Sequence, residues 1–75
     1  MKVNVVLFGT MRKYAKEDKF QMELEEGAKL SDLFDRLKIE DRVYIIVLVN
    51  GRRADEETVL TEGANVHILT PVGGG

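Results

Sequence analysis

A chain of 75 residues is enough for one small domain, which buries roughly 60% of its unfolded surface and leaves little material for a deep substrate cavity beside its core. With 44% hydrophobic and 32% charged residues, it reads as an ordinary folded protein, and its net charge of -2 argues against a general nucleic-acid binder. It has no cysteine, so disulfides, thiolate nucleophiles and Cys-based metal sites are excluded, and a small domain without disulfide staples is expected in the cytoplasm. The longest apolar run, Val43 to Val49, falls far short of the roughly 20 residues that cross a bilayer, so no membrane span is expected.

The opening segment, Lys2 to Phe8, is rich in β-branched residues and stops at Gly9, which predicts a strand. Its period of two puts Val3, Val5 and Leu7 on one face and Asn4, Val6 and Phe8 on the other. Thr10 to Lys19 is polar and basic, with Met11, Tyr14 and Ala15 at the spacing of a short helical turn. Phe20 to Glu25 alternates apolar and polar residues, the pattern of a second strand with one wet face, and Glu26-Gly27 ends it.

Leu30, Leu33, Phe34 and Leu37 fall at i, i+3, i+4 and i+7, one buried stripe of a helix from about Leu30 to Lys38. Ser31 is the better capping type, whereas a cap at Lys29 keeps Leu30 and Leu33 both inside the helix. Asp32 near the start and Arg36 and Lys38 near the end suit the helix dipole. Tyr44 to Val49 reads as a strand apolar on both faces, closed by the turn signal Asn50-Gly51. Arg52-Arg53-Ala54 fits a short returning edge strand, where charge is expected. Asn65 to Leu69 is the last strand, and Thr70-Pro71-Val72 leaves the sheet toward three terminal glycines. One helix can cover only one face of such a sheet, so the expected architecture is an α+β roll: a mixed sheet of four to five strands, one main helix across one face, and the first and last strands adjacent near the centre. The expected division is a domain over 1–69 and a flexible tail over 70–75.

The tail is the most informative feature. Glycine tolerates nearly all backbone conformations, so such a tail can thread a narrow channel into another protein's active site. Extended from Thr70 to Gly75, it reaches on the order of 20 Å. The reactive group it delivers is the α-carboxylate of Gly75, a poor electrophile until ATP-dependent adenylation supplies a leaving group. A sulfur donor then gives a thiocarboxylate. The bland alternative is a frayed terminus, where glycines are common.

Several segments carry a family resemblance along nearly the whole chain. Val5-Val6-Leu7-Phe8-Gly9-Thr10-Met11-Arg12, Leu30 to Leu37, Leu48-Val49-Asn50-Gly51 and above all Leu60 to Gly75, with Glu62-Gly63 before the last strand and Pro71-Val72 before the glycines, resemble the MoaD/ThiS-type sulfur carriers, in particular the molybdopterin synthase small-subunit branch. The chain departs from that pattern in ending on three glycines where two suffice, and in Gly9, where alanine is frequent. The resemblance implies a ubiquitin-like β-grasp fold and a carrier without catalysis of its own. It implies partners too: an adenylyltransferase of the MoeB/ThiF type that uses ATP, a sulfur donor, and a large synthase subunit of the MoaE type. Gly75 would carry the sulfur with Gly74 as its required neighbour, and no cofactor would be bound by the chain itself. Thiamin-type sulfur carriage and a ubiquitin-like modifier, whose activated carboxylate meets a lysine amine instead of sulfur, are the alternatives. A non-covalent binding module with an incidental tail is a third.

The face away from the helix should carry Val6, Phe8, Ile46, Leu48, His67 and Leu69, joined by Val72, with no segment left to cover them. A contiguous apolar patch of this kind marks a docking surface. Phe8, Arg12, Ile46, Leu48, His67, Leu69 and Val72 are therefore the expected partner contacts, Arg12 on the strength of the resemblance. Arg12, Lys13, Lys16, Arg52 and Arg53 are candidates for salt bridges with acidic partners, with a solvated surface as the bland alternative, and Lys13 and Lys16 read as solvated surface. His67, the single histidine, reads as a partly exposed strand residue, and with no cysteine no metal site is expected. Asp55, Glu56, Glu57 and Glu62 lack the spacing of a calcium loop. Asp32 and Asp35 lack the cavity an acid–base pair needs.

Overall fold

The computed structural model describes residues 1–71. Among them β1 (Lys2–Leu7) is followed by a 3-10 helix (Gly9–Tyr14), β2 (Lys19–Glu23), α1 (Leu30–Leu37), β3 (Ile46–Val49), β4 (Arg52–Ala54) and β5 (Asn65–Leu69). The sheet order is β2-β1-β5-β3-β4. β1 and β5 run parallel and every other neighbour is antiparallel, so the mixed roll with its first and last strands paired is present.

The inward faces follow the alternation. Val3, Val5, Leu7, Val47, Val66 and Ile68 are buried under Leu30, Leu33 and Phe34 of α1, and Ile45 and Val49 pack against the margin of that core. Lys29 is the N-cap, not Ser31. Its backbone N–H donates to the Asp32 carboxylate at 2.8 Å, so the acid at the third helical position closes the end reciprocally. The helix stops one residue before the expected Lys38. Lys38 is left-handed at φ 60 and donates to Asp35 O, while Ile39 N–H reaches back to Phe34 O at 3.0 Å. This is a Schellman closure made without glycine. The buried Ile39 anchors it.

Two strands are shorter than their sequence pattern. β3 begins at Ile46, not Tyr44, because its neighbour β5 ends where Leu69 faces Ile46 and the chain then leaves through Thr70 and Pro71. Without a partner, Val43 and Tyr44 are 79% and 72% exposed. β2 covers Lys19–Glu23 and not Phe20 to Glu25, because Glu23 already faces Lys2 at the start of β1. Leu24 then turns into the core, its N–H bonded to Met1 O at 2.8 Å.

Arg42 braces the helix side. Its guanidinium bonds Asp35 at 2.7 Å and Glu56 at 3.0 Å, and its Nε–H donates to Ile39 O at 2.7 Å. The same group lies 5.4 Å above the Phe34 ring. The hydrogen bond to Asp35, then that to Glu56, raises its pKa above the ordinary guanidinium value.

Candidate functional site

The open face is set by register, since residues paired across a sheet share a side. Lys19, Val6, His67, Leu48 and Arg53 form one row across all five strands. Toward the chain's exit the next row holds Leu69 opposite Ile46. Phe8 sits beside them, because its N–H still donates to Ile68 O at 3.0 Å one residue after β1 ends. Phe8 is 44% exposed and meets the His67 imidazole edge-on, 5.5 Å between centroids. The 68° between the ring planes sets the edge of one ring against the face of the other and keeps the imidazole against an apolar neighbour.

In the opposite direction the face becomes polar within one row. Gln21 Nε2 donates to Asn4 Oδ1 at 3.1 Å, and Asn4 Nδ2 donates to Asn65 Oδ1 at 3.1 Å. Asn65 N–H donates to Asn50 Oδ1 at 2.9 Å. A chain of amides therefore bounds the apolar patch on the side away from the tail.

Where β5 ends, Phe8, Gly9, Thr10, Leu69, Thr70 and Pro71 line an open recess of about 400 Å³. Gly9 makes its floor possible: its φ of +54 turns the chain sharply from β1 into the 3-10 helix, a backbone that a side chain disfavours. The Thr10 and Thr70 hydroxyls share a hydrogen bond of 3.2 Å, so the first residue beyond β5 is tied to the turn after β1.

Of the expected docking residues, the structure brings Phe8, Ile46, Leu48, His67 and Leu69 onto one face. Arg12 stands outside this register, on the 3-10 helix beside it, with its guanidinium 3.4 Å from Asp18. Val72, Gly74 and Gly75, and most of the tail expected over 70–75, lie outside the described residues. Asp32 and Asp35 serve separate structural partners, Lys29 N–H and Arg42. Among the described residues no three acidic, histidine or cysteine side chains gather as metal ligands, and no helix is long and apolar enough to cross a membrane.

Sequence reasoning named Arg53 as a candidate for pairing with an acidic partner without placing it in this row, and missed Lys19 at the other end and the amide chain below it. The alternation of each strand carries the signal for which side these residues take. Their grouping depends on register, which no single strand encodes.

The sequence profile of the ThiS family matches residues 5–75. No curated protein sequence matches the chain. Among solved structures, a putative molybdopterin converting factor subunit 1 from Pyrococcus furiosus is 29% identical at a TM-score of 0.81, over 95% of this chain and 98% of that one. A chain from the complex of subunits 1 and 2 of the molybdopterin-converting factor of Helicobacter pylori is 26% identical at a TM-score of 0.70, over the full length of both. Small archaeal modifier protein 1 from Methanosarcina acetivorans is 26% identical at a TM-score of 0.77, over 99% and 96%. The fold is the ubiquitin-like β-grasp of the ThiS/MoaD sulfur carriers.

Proposed function

We propose that this chain, which belongs to the ThiS family, carries sulfur at Gly75 for molybdopterin-type cofactor synthesis, as the small subunit of a two-subunit synthase. The observation that carries the reading is the continuity between an uncovered apolar sheet face and the strand that leads into the glycine tail. A partner seated on Phe8, Leu69 and Ile46 is seated at the root of that tail. The domain then fixes where the reach of roughly 20 Å begins.

The chemistry is done by partners. A carboxylate oxygen of Gly75 attacks the α-phosphate of ATP on an adenylyltransferase of the MoeB/ThiF type, releasing pyrophosphate. Hydrosulfide released by the sulfur donor attacks the carbonyl carbon of the acyl-adenylate, AMP leaves with the bonding pair, and loss of the sulfur's proton gives the thiocarboxylate. The thiocarboxylate enters a MoaE-type subunit, and docking there is supported by the subunit 1–subunit 2 complex of the Helicobacter pylori relative. The chain binds no cofactor in this scheme, works in the cytoplasm and acts as a protein substrate. Gly74 is required because a side chain next to the terminal residue would obstruct a narrow channel.

Intact-mass analysis after incubation with ATP, the organism's own adenylyltransferase and a sulfur donor tests this. The expected gain is about 16 Da, sulfur for oxygen on a carboxyl group ionised at neutral pH. A chain lacking Gly74 and Gly75 that still takes up sulfur would refute it.

A second reading, protein modification through an isopeptide bond, is favoured by the likeness to small archaeal modifier protein 1. It predicts higher-mass conjugates that disappear when Gly75 is removed. Thiamin-type sulfur carriage stands as a variant of the first reading.

A further inference from the structure

The apolar rows of the open face lie between two cations. Lys19 stands at the β2 edge and Arg53 at the β4 edge, at the two ends of the row that passes through Val6, His67 and Leu48. Four interstrand steps separate them, about 19 Å at roughly 4.8 Å per step. Neither cation pairs with a carboxylate among the described residues, and no strand residue of this row is acidic. Asp55, just past β4, continues the register opposite Ile46, but its carboxylate is held by Glu57 N–H at 2.9 Å. Among the strand residues the one carboxylate on this face comes after the amide chain, where Glu23 faces Lys2. A protein with a net charge of -2 thus keeps the central row of its open face apolar in the middle and positive at both edges.

We propose that this face takes one kind of protein partner: a surface with an apolar ridge flanked on both sides by carboxylates placed to reach Lys19 and Arg53. The amide chain Gln21–Asn4–Asn65 marks where that interface ends, because its side chains already satisfy one another and offer no apolar area to bury. A second copy of this chain fits poorly. Two such faces related by a two-fold axis along the strands set Lys19 against the partner copy's Arg53. An axis across the strands sets Lys19 against Lys19. Either arrangement opposes like charges across an apolar contact. The edge cations therefore choose an acidic partner and discourage self-pairing.

This inference rests on the carrier reading, so the probe is the organism's own adenylyltransferase, purified and titrated calorimetrically with the full chain. The variants are K19E/R53E, the milder K19Q/R53Q, and the control R36E/R52E, which makes the same charge change on the helix and on the helix-facing register of β4. Thermal unfolding confirms that each is folded. At about 50 mM salt K19E/R53E should bind about thirtyfold more weakly and K19Q/R53Q about fivefold, with the control within twofold. At about 500 mM salt, where screening shortens to roughly 4 Å, the thirtyfold gap should close to under threefold. A wild-type complex that ignores both variants, or a gap that ignores salt, overturns the inference and leaves the carrier reading standing. Absence of any wild-type complex overturns both. Sedimentation showing a wild-type dimer, broken by a charge placed at Leu48, would assign the face to a second copy and overturn it as well.

Discussion

The two faces of the sheet treat charge in opposite ways. On the helix side the bracing cations are answered within the chain: Arg42 by Asp35 and Glu56, Lys29 by Glu57. Asp32 closes its own helix. On the open face Lys19 and Arg53 flank apolar side chains and meet no carboxylate among the described residues. In the proposed reading, folding depends on the first face and recognition on the second.

The hardest test separates those dependences by core truncation. Phe34 is 1% exposed beneath α1, and Phe34→Ala should cost about 3–5 kcal/mol. A 75-residue domain has only about 4–11 kcal/mol in total, so urea unfolding should show a large loss or no folded baseline. Leu48→Ala, half-buried on the open face, should cost under about 1 kcal/mol yet weaken adenylyltransferase binding tenfold or more. Equal losses of stability would erase the distinction between the faces.

Next in size is the brace. Arg42→Ala should destabilise by about 1 kcal/mol, limited because Asp35 and Glu56 are themselves exposed. Arg42→Lys should recover less than half, since an ammonium cannot fork to two carboxylates and the Ile39 carbonyl together. The Arg42 pKa is raised, so its contribution is complete below the unfolded value and is lost only as pH climbs through the still higher folded value. The guanidinium itself should therefore add no slope to chemical denaturation between about pH 6 and 10, and a slope there would mean that other groups hold the brace. Gly9→Ala is of similar magnitude, about 1 kcal/mol, for a different reason. An added Cβ meets nothing within 4 Å, but φ +54 strains it. The loss should appear as a lower urea midpoint with an unchanged slope.

Much of this division is legible in the residues themselves. The alternation in Lys2–Leu7 and Asn65–Leu69 places each side chain on its face, and the four-residue stripe of α1 says which face is covered. What the sequence leaves open is set across strands. Tyr44 and Ile45 carry the pattern of a strand and lack only a partner, which β5 withdraws by ending at Leu69. Ile39 becomes core because a left-handed Lys38 folds it back beneath the helix, without the glycine that usually announces such a turn. The pairing of Lys19 with Val6 and of Leu48 with Arg53 exists only once the register is fixed, so Arg53 is legible as a free cation but not as one edge of a row that Lys19 closes at the other. Arg12, expected at the interface from the family resemblance, sits on the neighbouring turn beside Asp18.

The smallest expected effect tests whether the open face and the tail act together. Thr10 and Thr70 share one exposed hydrogen bond, so Thr10→Val should cost no more than about 0.5 kcal/mol and move Tm by under about 4 °C. That bond nonetheless fixes the direction in which the chain leaves β5 beside the recess at Phe8. Loosening it spreads the tail over more orientations before it enters a partner's channel, a cost met on binding and not in the chemical step. Thr10→Val should therefore raise the adenylyltransferase KM two- to threefold with kcat unchanged, and Thr70→Val should match it. The double variant should add nothing further, because the two hydroxyls make a single contact. If the two losses instead add, each hydroxyl serves the partner separately, and the root of the tail is not held by this pair.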